Sequence, residues 1–176
     1  MKQFFWIIIF IIVGSFVGCY GDAIYSNYLF EQYCNEEGRT GQFIYERVGL
    51  GDEYFISIPK DERELIQVDN GYFIDDKKLL IDKHRLMQNF TISRQTKTML
   101  SQIGPIYSYE KNIIRKSDGK VLSKSVSLLN KKGWLSRQSI LGMTVGDTCP
   151  KYKDTRGRSI SKSAHTGLLR NTFYKD

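Results

Sequence analysis

The chain has 176 residues, 41% hydrophobic and 13% aromatic, with eleven Tyr and ten Phe, a composition that excludes a disordered polypeptide and calls for a packed core. Its formal net charge is +7, from 26 Lys and Arg against 19 Asp and Glu, and the excess collects late in the sequence. No internal repeat or low-complexity tract is present, which leaves one domain rather than an array.

Met1 and Lys2 give a positive start, and an uncharged run from Phe4 to Tyr20 follows. A basic flank before so apolar a stretch is an export or membrane-anchoring signal. At about 17 residues it is at the short end of what a roughly 30 Å hydrocarbon layer requires. Three readings of it stand side by side. As an uncleaved anchor it sets Trp6 near one membrane face and Tyr20 near the other. As a lipoprotein signal it uses Phe16-Val17-Gly18-Cys19, which resembles the bacterial lipobox with Phe16 in place of the usual leucine, and Cys19 is then the lipidated residue. As a cleaved signal it is cut between Gly21 and Asp22. All three keep Lys2 in the cytosol and send residues 22–176 across, so the expected location is the cell envelope, with that part in the periplasm or otherwise outside the cytoplasm. The expected organisation is a signal or anchor over 1–21, an exported domain over 22–150 and a basic C-terminal segment over 151–176. The roughly 155 residues beyond the signal are enough to bury about two thirds of their surface around one core.

In the exported part, Ser26 is placed to cap a helix from Asn27 to Glu37 that ends at Gly38. Leu29, Phe30, Tyr33 and Cys34 recur at helical spacing and turn Cys34 inward. If the signal is retained, this helix continues the membrane helix outward. Gln42 to Val48 and Glu53 to Ile58 alternate as strands, with Gly49-Leu50-Gly51-Asp52 as a hairpin connection and Pro59 as a stop. Asp61 to Val68 reads as a helical turn or two and Asp69-Asn70-Gly71 as a turn, followed by short apolar runs at Tyr72–Ile74 and Leu79–Ile81. Residues 82–103 lack a clear period and are expected to make a surface excursion. Ile106 to Arg115 and Lys120 to Leu128 flank Lys116-Ser117-Asp118-Gly119, and Asp-Gly is the favoured two-residue hairpin turn because both positions tolerate positive φ. On the second arm Leu122, Lys124, Val126 and Leu128 make the more apolar face. Gly133 to Met143 extends the sheet ahead of Gly146-Asp147-Thr148-Cys149-Pro150. The resulting fold class is α+β: an N-terminal membrane or signal helix, then one short helix packed on a mainly antiparallel sheet.

Beyond Cys19 the cysteines are Cys34 and Cys149. In an oxidising compartment an isolated pair is most simply a disulfide. It would close a loop of more than about 100 residues and stabilise the fold by up to about 4 to 5 kcal/mol in the chain-entropy description. The competing reading is a reactive thiol, Cys34 or Cys149, whose base would be His84 or His165.

Leu29-Phe30, Cys34, Gly38, Phe43-Ile44-Tyr45 with Val48, Ser93-Arg94, the Asp118-Gly119 hairpin, Trp134 and Cys149-Pro150 form a pattern. Together they resemble a loose group of short, N-terminally membrane-anchored envelope proteins of Gram-negative bacteria. Members of that group tend to carry a cysteine in the first exported helix and a Cys-Pro near the end. The resemblance covers most of the exported part. It implies the anchored topology and the Cys34–Cys149 pairing, and it implies no chemistry. The basic stretch after Pro150 is longer than is usual in the group.

The search for chemistry yields no catalytic or cofactor motif. His165 lies near Ser159, Ser161 and Ser163, but sequence neighbours are not a triad and no Gly-x-Ser-x-Gly elbow exists, so it reads as a tail histidine among serines. Asp75, Asp76, Asp82 and His84 have the types of metal ligands, yet Lys77, Lys78, Lys83 and Arg85 are interleaved and would repel a cation. No metal or other cofactor is therefore expected. Glu36, Glu37, Asp52 and Glu53 supply carboxylates without anything that sets two across a cleft. Gly49-x-Gly51 is too short for a phosphate loop. Asn89-Phe90-Thr91 is a formal glycosylation sequon, of use only in a eukaryotic secretory pathway. The aromatic residues interleave with strand positions, as core residues do, and no nucleic acid partner is expected. The segment Lys151, Lys153, Arg156, Arg158, Lys162 and Arg170 is either a solvated tail or a patch for an anionic partner, lipid headgroups or an acidic protein face. The expected function is a non-enzymatic, membrane-tethered envelope protein that presents a small disulfide-closed module to an unidentified protein, with an immunity or inhibitor protein for an exported toxin as one form. The alternatives are a thiol-dependent envelope enzyme and a surface protein that binds anionic lipid through its basic segment.

Overall fold

A single α-helix, α1, runs from Lys2 to Asn35 in the computed structural model. The structure describes residues 2–56, 72–74, 79–133, 146–150, 152–153, 159–160, 165 and 167–176, the side chains of 2–5, 7–13, 15–20, 72–74, 79, 152–153 and 159–160 excepted. The apolar run and the helix expected from Asn27 to Glu37 are thus one element. No proline lies between Lys2 and Asn35 to stop the helix. Ser26, expected to start a helix, instead sits inside one. α1 gives way to a turn in which Gly38 takes a φ of 75°, a conformation that only glycine adopts at no cost. Among the described residues no helix is long and apolar enough to cross a membrane, and nearly all side chains of the apolar run lie outside that description.

The chain divides into two compact units, each assembled from three segments. The first comprises residues 1–40, 97–109 and 127–161. Its core is Phe30 from α1 with Ile106, Leu128 and Cys149, and Leu29, Tyr33, Cys34 and Leu100 pack around them. The strands are most of β7 (Thr96–Ser101), the start of β8 (Ile106–Arg115), the end of β9 (Val121–Asn130) and β10 (Asp147–Cys149). β10 pairs antiparallel to β9, with Cys149 opposite Leu128. Two short strands, Tyr152–Lys153 and Ser159–Ile160, pair with each other as β11 and β12. The expected strand from Gly133 to Met143 lies outside the described residues after Gly133.

The second unit comprises residues 41–96, 110–126 and 162–176. Here β1 (Gly41–Ile44) runs antiparallel to β9, and β6 (Phe90–Ile92) runs antiparallel to β8. A three-stranded sheet orders β3 (Phe55–Ile56), β5 (Leu79–Ile81) and β4 (Tyr72–Ile74). β2 (Val48–Leu50) pairs in parallel with β13 (Phe173–Lys175). The helices are α2 (Lys83–Asn89) and α3 (Leu168–Thr172). The core joins Leu50, Ile81, Leu86, Phe90, Ile113, Leu122, Leu168 and Phe173, with the Phe90 and Phe173 rings edge to face at 4.9 Å. The architecture is α+β with mostly antiparallel pairing.

Several expectations are corrected. Gln42 to Val48 is not one strand: the N–H groups of Tyr45 and Glu46 both donate to the Leu122 carbonyl, a bulge that ends β1 and frees Val48 for a different sheet. Gly49 to Asp52 is not a hairpin connection, because Val48–Leu50 pairs with the chain end. A Cβ at Gly49 would overlap the Asp176 side chain there. The stretch 82–103 is no surface excursion, since it forms α2, β6 and β7 and buries Leu86 and Phe90. The Asp118-Gly119 hairpin is present, but its turn takes four residues. Arg115 N–H donates to Lys120 O at 2.9 Å and Gly119 N–H to Arg115 O at 3.0 Å. Only Gly119, at 69°, has positive φ. The end of the basic C-terminal segment is core rather than tail, since Leu168 and Phe173 are buried. The expected helical turn at 61–68 and the Asp69-Asn70-Gly71 turn lie outside the described residues.

Candidate functional site

The features that chemistry or binding would need form three groups: a crosslinked helix face, a held histidine and a basic groove. On α1, one face carries Asp22, Ser26, Phe30 and Cys34 at four-residue intervals, which stacks them on one side of the helix. Cys34 and Cys149 are joined in a disulfide, with Cα atoms 5.9 Å apart and a separation of 115 positions in sequence. With both sulfurs in that bond neither is a thiolate, and a nucleophile at Cys34 or Cys149 is removed. One turn below lies Phe30, and below it Ser26, fully buried. The single Ser26 hydroxyl proton faces two acceptors, the Gly104 carbonyl at 2.8 Å and Asn130 Oδ1 at 2.6 Å. Asn130 Oδ1 also accepts the Lys132 N–H at 2.8 Å, and its amide nitrogen donates to Asn27 Oδ1 at 3.0 Å. A Cβ at Gly104 would overlap Ser26, and one at Gly133 would overlap the Asp22 carboxylate, so the chain passes close against the helix at both levels.

In the second unit His165 is half-buried and held at both ring nitrogens. Its Nδ1 is 2.5 Å from Ser125 Oγ and its Nε2 is 2.8 Å from Gln95 Nε2. With the Gln95 amide nitrogen toward the ring, Nε2 accepts and Nδ1 carries the proton toward Ser125, whose hydroxyl then points to the Lys111 carbonyl at 3.4 Å; the opposite amide orientation reverses the two ring roles. A nucleophilic serine requires the reverse, with histidine taking the serine proton. Ser125 is also fully buried. Burial, and then the Lys111 charge, hold the His165 pKa below its ordinary value. The expected exposed tail histidine is corrected: His165 is paired with a serine 40 positions back along the chain rather than with its sequence neighbours.

Asp82, Asp52, Glu36 and Glu46 hold structural partners. Asp82 caps α2, its Oδ1 accepting the N–H groups of His84 at 2.8 Å and Arg85 at 3.2 Å. Asp52 pairs with Lys175 at 2.7 Å, and Glu36 pairs with Arg39. Glu46 is clamped between Arg115 and Lys120. Among the described residues no three His, Cys, Asp or Glu gather as metal ligands; Asp75 and Asp76 lie outside that description. A groove of about 560 Å³ on α2 is lined by Lys83, His84, Met87, Gln88 and Lys116. Its charge would suit an anion, but the Lys116 ammonium already donates to the Met87 carbonyl at 2.6 Å. Of the basic segment, Arg170 lies exposed on α3, whereas the side chains of Lys151, Lys153, Arg156, Arg158 and Lys162 lie outside the described residues. That of Cys19 does too.

The Ser26–Asn130 pair and the Gln95–His165–Ser125 chain escape sequence reasoning, because each joins residues far apart in the chain by polar contacts that leave no periodicity. Compared with protein-family models, with curated proteins and with solved structures, the chain matches none of them.

Proposed function

We propose that the chain is a non-enzymatic envelope protein, tethered to a bacterial membrane through residues 1–21 and presenting a small disulfide-closed module outside the cytoplasm for protein–protein interaction. The observation that carries this reading is the continuity of α1. One helix holds both the apolar run and the residues Ser26, Phe30 and Cys34 that tie it to the first unit, so a retained run fixes the module at the membrane without a linker. The Cys34–Cys149 disulfide supports an oxidising compartment. One specific form is an immunity or inhibitor protein that plugs the cleft of an exported toxin such as a lipase or wall hydrolase; a small, basic, anchored module has the profile of such a blocker.

The test fuses alkaline phosphatase after Asp176 of the full chain and measures its activity in a bacterial host. Intact mass is then taken after thiol alkylation, with and without reduction. An active fusion, with Cys34 and Cys149 alkylated only after reduction, is the expected result. An inactive fusion with freely alkylated thiols overturns the topology and returns the thiol-dependent reading. The inhibitor form is tested by exporting the product of the adjacent gene: growth arrest relieved by the full chain supports it, and an arrest left unrelieved overturns it. Binding to anionic vesicles that falls steeply with salt and vanishes on deletion of residues 151–176 would favour the lipid-binding reading instead.

A further inference from the structure

We infer that the outward face of α1 at Ile24, Tyr25 and Tyr28 lies in the headgroup layer of the membrane that holds the N-terminus. This rests on the proposal that the apolar run is a retained anchor. The three side chains are exposed by 69%, 47% and 60%, unusual values for large apolar groups on one stretch of helix. At 3.6 residues per turn they fall within an arc of about 100°, on the side away from buried Ser26 and Phe30. The same side becomes polar one turn later, with Glu31, Gln32 and Asn35 all exposed. The face is therefore graded along the helix axis, apolar beside the run and polar beyond it. A flat protein partner would not require that gradient, whereas a membrane boundary does.

Length gives the same depth. The run from Phe4 to Tyr20 spans about 26 Å at 1.5 Å per residue, some 4 Å short of a roughly 30 Å hydrocarbon core. The charge of Asp22 sets the end of the core at Gly21, and about 20 residues counted back from there reach Lys2, whose charge marks the opposite interface. The headgroup layer beyond it, about 5 to 8 Å deep, takes the next three to five residues, Asp22 to Ser26, and Tyr28 lies about 3 Å further on, with helical side chains inclined back toward the N-terminus. Glu31 then stands in water. Tyrosine suits that layer because its ring is apolar and its hydroxyl is polar. The Tyr28 hydroxyl accepts a hydrogen bond from Gln32 Nε2 at 2.8 Å, and its own O–H remains to donate to a phosphate or water.

The rival occupant is a second copy of the chain, since Gly14, Gly18 and Gly21 share a helix face with Tyr25 and Tyr28. The experiment places single tryptophans in the full chain, reconstituted in phosphatidylcholine vesicles with bromine high on the acyl chains. The probes are Ile24→Trp and, independently, Tyr28→Trp, each in a Trp6→Phe/Trp134→Phe background, with Glu31→Trp as the water-side control. Trp6 alone, in Trp134→Phe, reports insertion of the anchor. Emission from Ile24→Trp and Tyr28→Trp is expected to fall by about half relative to unbrominated lipid, while that from Glu31→Trp is unchanged. Quenching of Trp6 without quenching at positions 24 and 28 overturns the inference and leaves the anchor standing. No quenching at any position overturns both. A blue-shifted but unquenched signal at position 24 that is lost when the protein is diluted in lipid assigns the face to a second copy and overturns the inference.

Discussion

Breaking the Cys34–Cys149 crosslink is expected to cost several kcal/mol without emptying the core, and Cys34→Ala isolates that effect. Cys34 is only half-buried, whereas Cys149 is 4% exposed and packs among Phe30, Ile106 and Leu128. Cys34→Ala therefore removes the bond and leaves the Cys149 side chain in place. The bond spans 115 residues, and a loop of that length corresponds to about 4.8 kcal/mol at 25 °C in the chain-entropy relation. The first unit is built from segments 1–40, 97–109 and 127–161, so the crosslink ties the first of them to the last. Against a typical total of about 5 to 15 kcal/mol, its loss is a large share of the stability. Cys149→Ala adds about 1 kcal/mol for the lost packing. The assay is urea unfolding of the full chain in detergent, followed by tyrosine and tryptophan fluorescence, for the oxidised protein, the reduced protein and Cys34→Ala. The reduced protein and Cys34→Ala should coincide, with a lower midpoint and a steeper denaturant slope, because an uncrosslinked unfolded chain exposes more surface. A midpoint shift worth under about 1 kcal/mol, or an unchanged slope, would refute the claim that the bond acts by restraining the unfolded state.

Three further perturbations test the interior. Asn130→Leu leaves the Ser26 hydroxyl with the Gly104 carbonyl alone and strands the Lys132 N–H, a cost of about 2 to 4 kcal/mol by urea unfolding; adding Ser26→Ala should cost less than the sum of the two single changes. Phe173→Ala empties a fully buried site against Phe90 and is expected to cost about 3 to 5 kcal/mol, a loss that a solvated chain end could not produce. Burial holds folded His165 below its ordinary pKa of 6.5, so the unfolded chain takes up the proton first. This contribution is complete above about pH 6.5 and is lost as pH falls through the depressed folded value. Stability measured by urea midpoint should thus decline on acidification more in the parent than in His165→Gln, and parallel pH profiles would contradict the assignment.

The long hairpin was legible because its signals are local: alternation over Ile106–Arg115 and Val121–Asn130, and an Asp-Gly pair between them. Even there the turn type was not, since a type I′ turn needs positive φ at both central residues and Asp118 lacks it. Asp118 instead accepts the Lys120 N–H and pairs with Arg115, contacts that hold its carboxyl below the usual range. The disulfide followed from counting cysteines under the assumption of export. The parallel pairing of Val48–Leu50 with Phe173–Lys175 was invisible, because strands at opposite ends of a sequence announce no partner. Helix α2 had a cap at Asp82 and apolar residues at Leu86 and Met87, but seven residues give too few turns for a period to emerge from a basic, polar background. The even residues of β9 read as its more apolar face, yet on the other face Ser123 meets Thr172 at 2.6 Å and Ser125 meets His165. A polar strand face can be buried when another polar segment lies over it, and alternation alone does not tell water from hydroxyls.

The spacing of contacts along α1 bears on how such a module would work. Asp22, Ser26, Phe30 and Cys34 meet the first unit through a close backbone approach, a buried hydrogen-bond pair, a core side chain and a covalent bond, over three helical turns or about 18 Å. The first contact comes two residues after Tyr20, the last residue of the apolar run, with no Gly-, Ser- or Pro-rich stretch between them to act as a hinge. A retained run would then fix the first unit at the bilayer surface in one orientation, whereas a flexible linker would let it search a volume. Fixed placement limits the partners to those that come to the membrane, and it raises their effective concentration there. It also makes the disulfide informative in a second way. The bond lies at the end of α1 farthest from the run, so force transmitted through the run meets Asp22 first and the disulfide last. A crosslink at that position leaves the three contacts before it to loosen in turn while keeping the helix covalently joined to the unit.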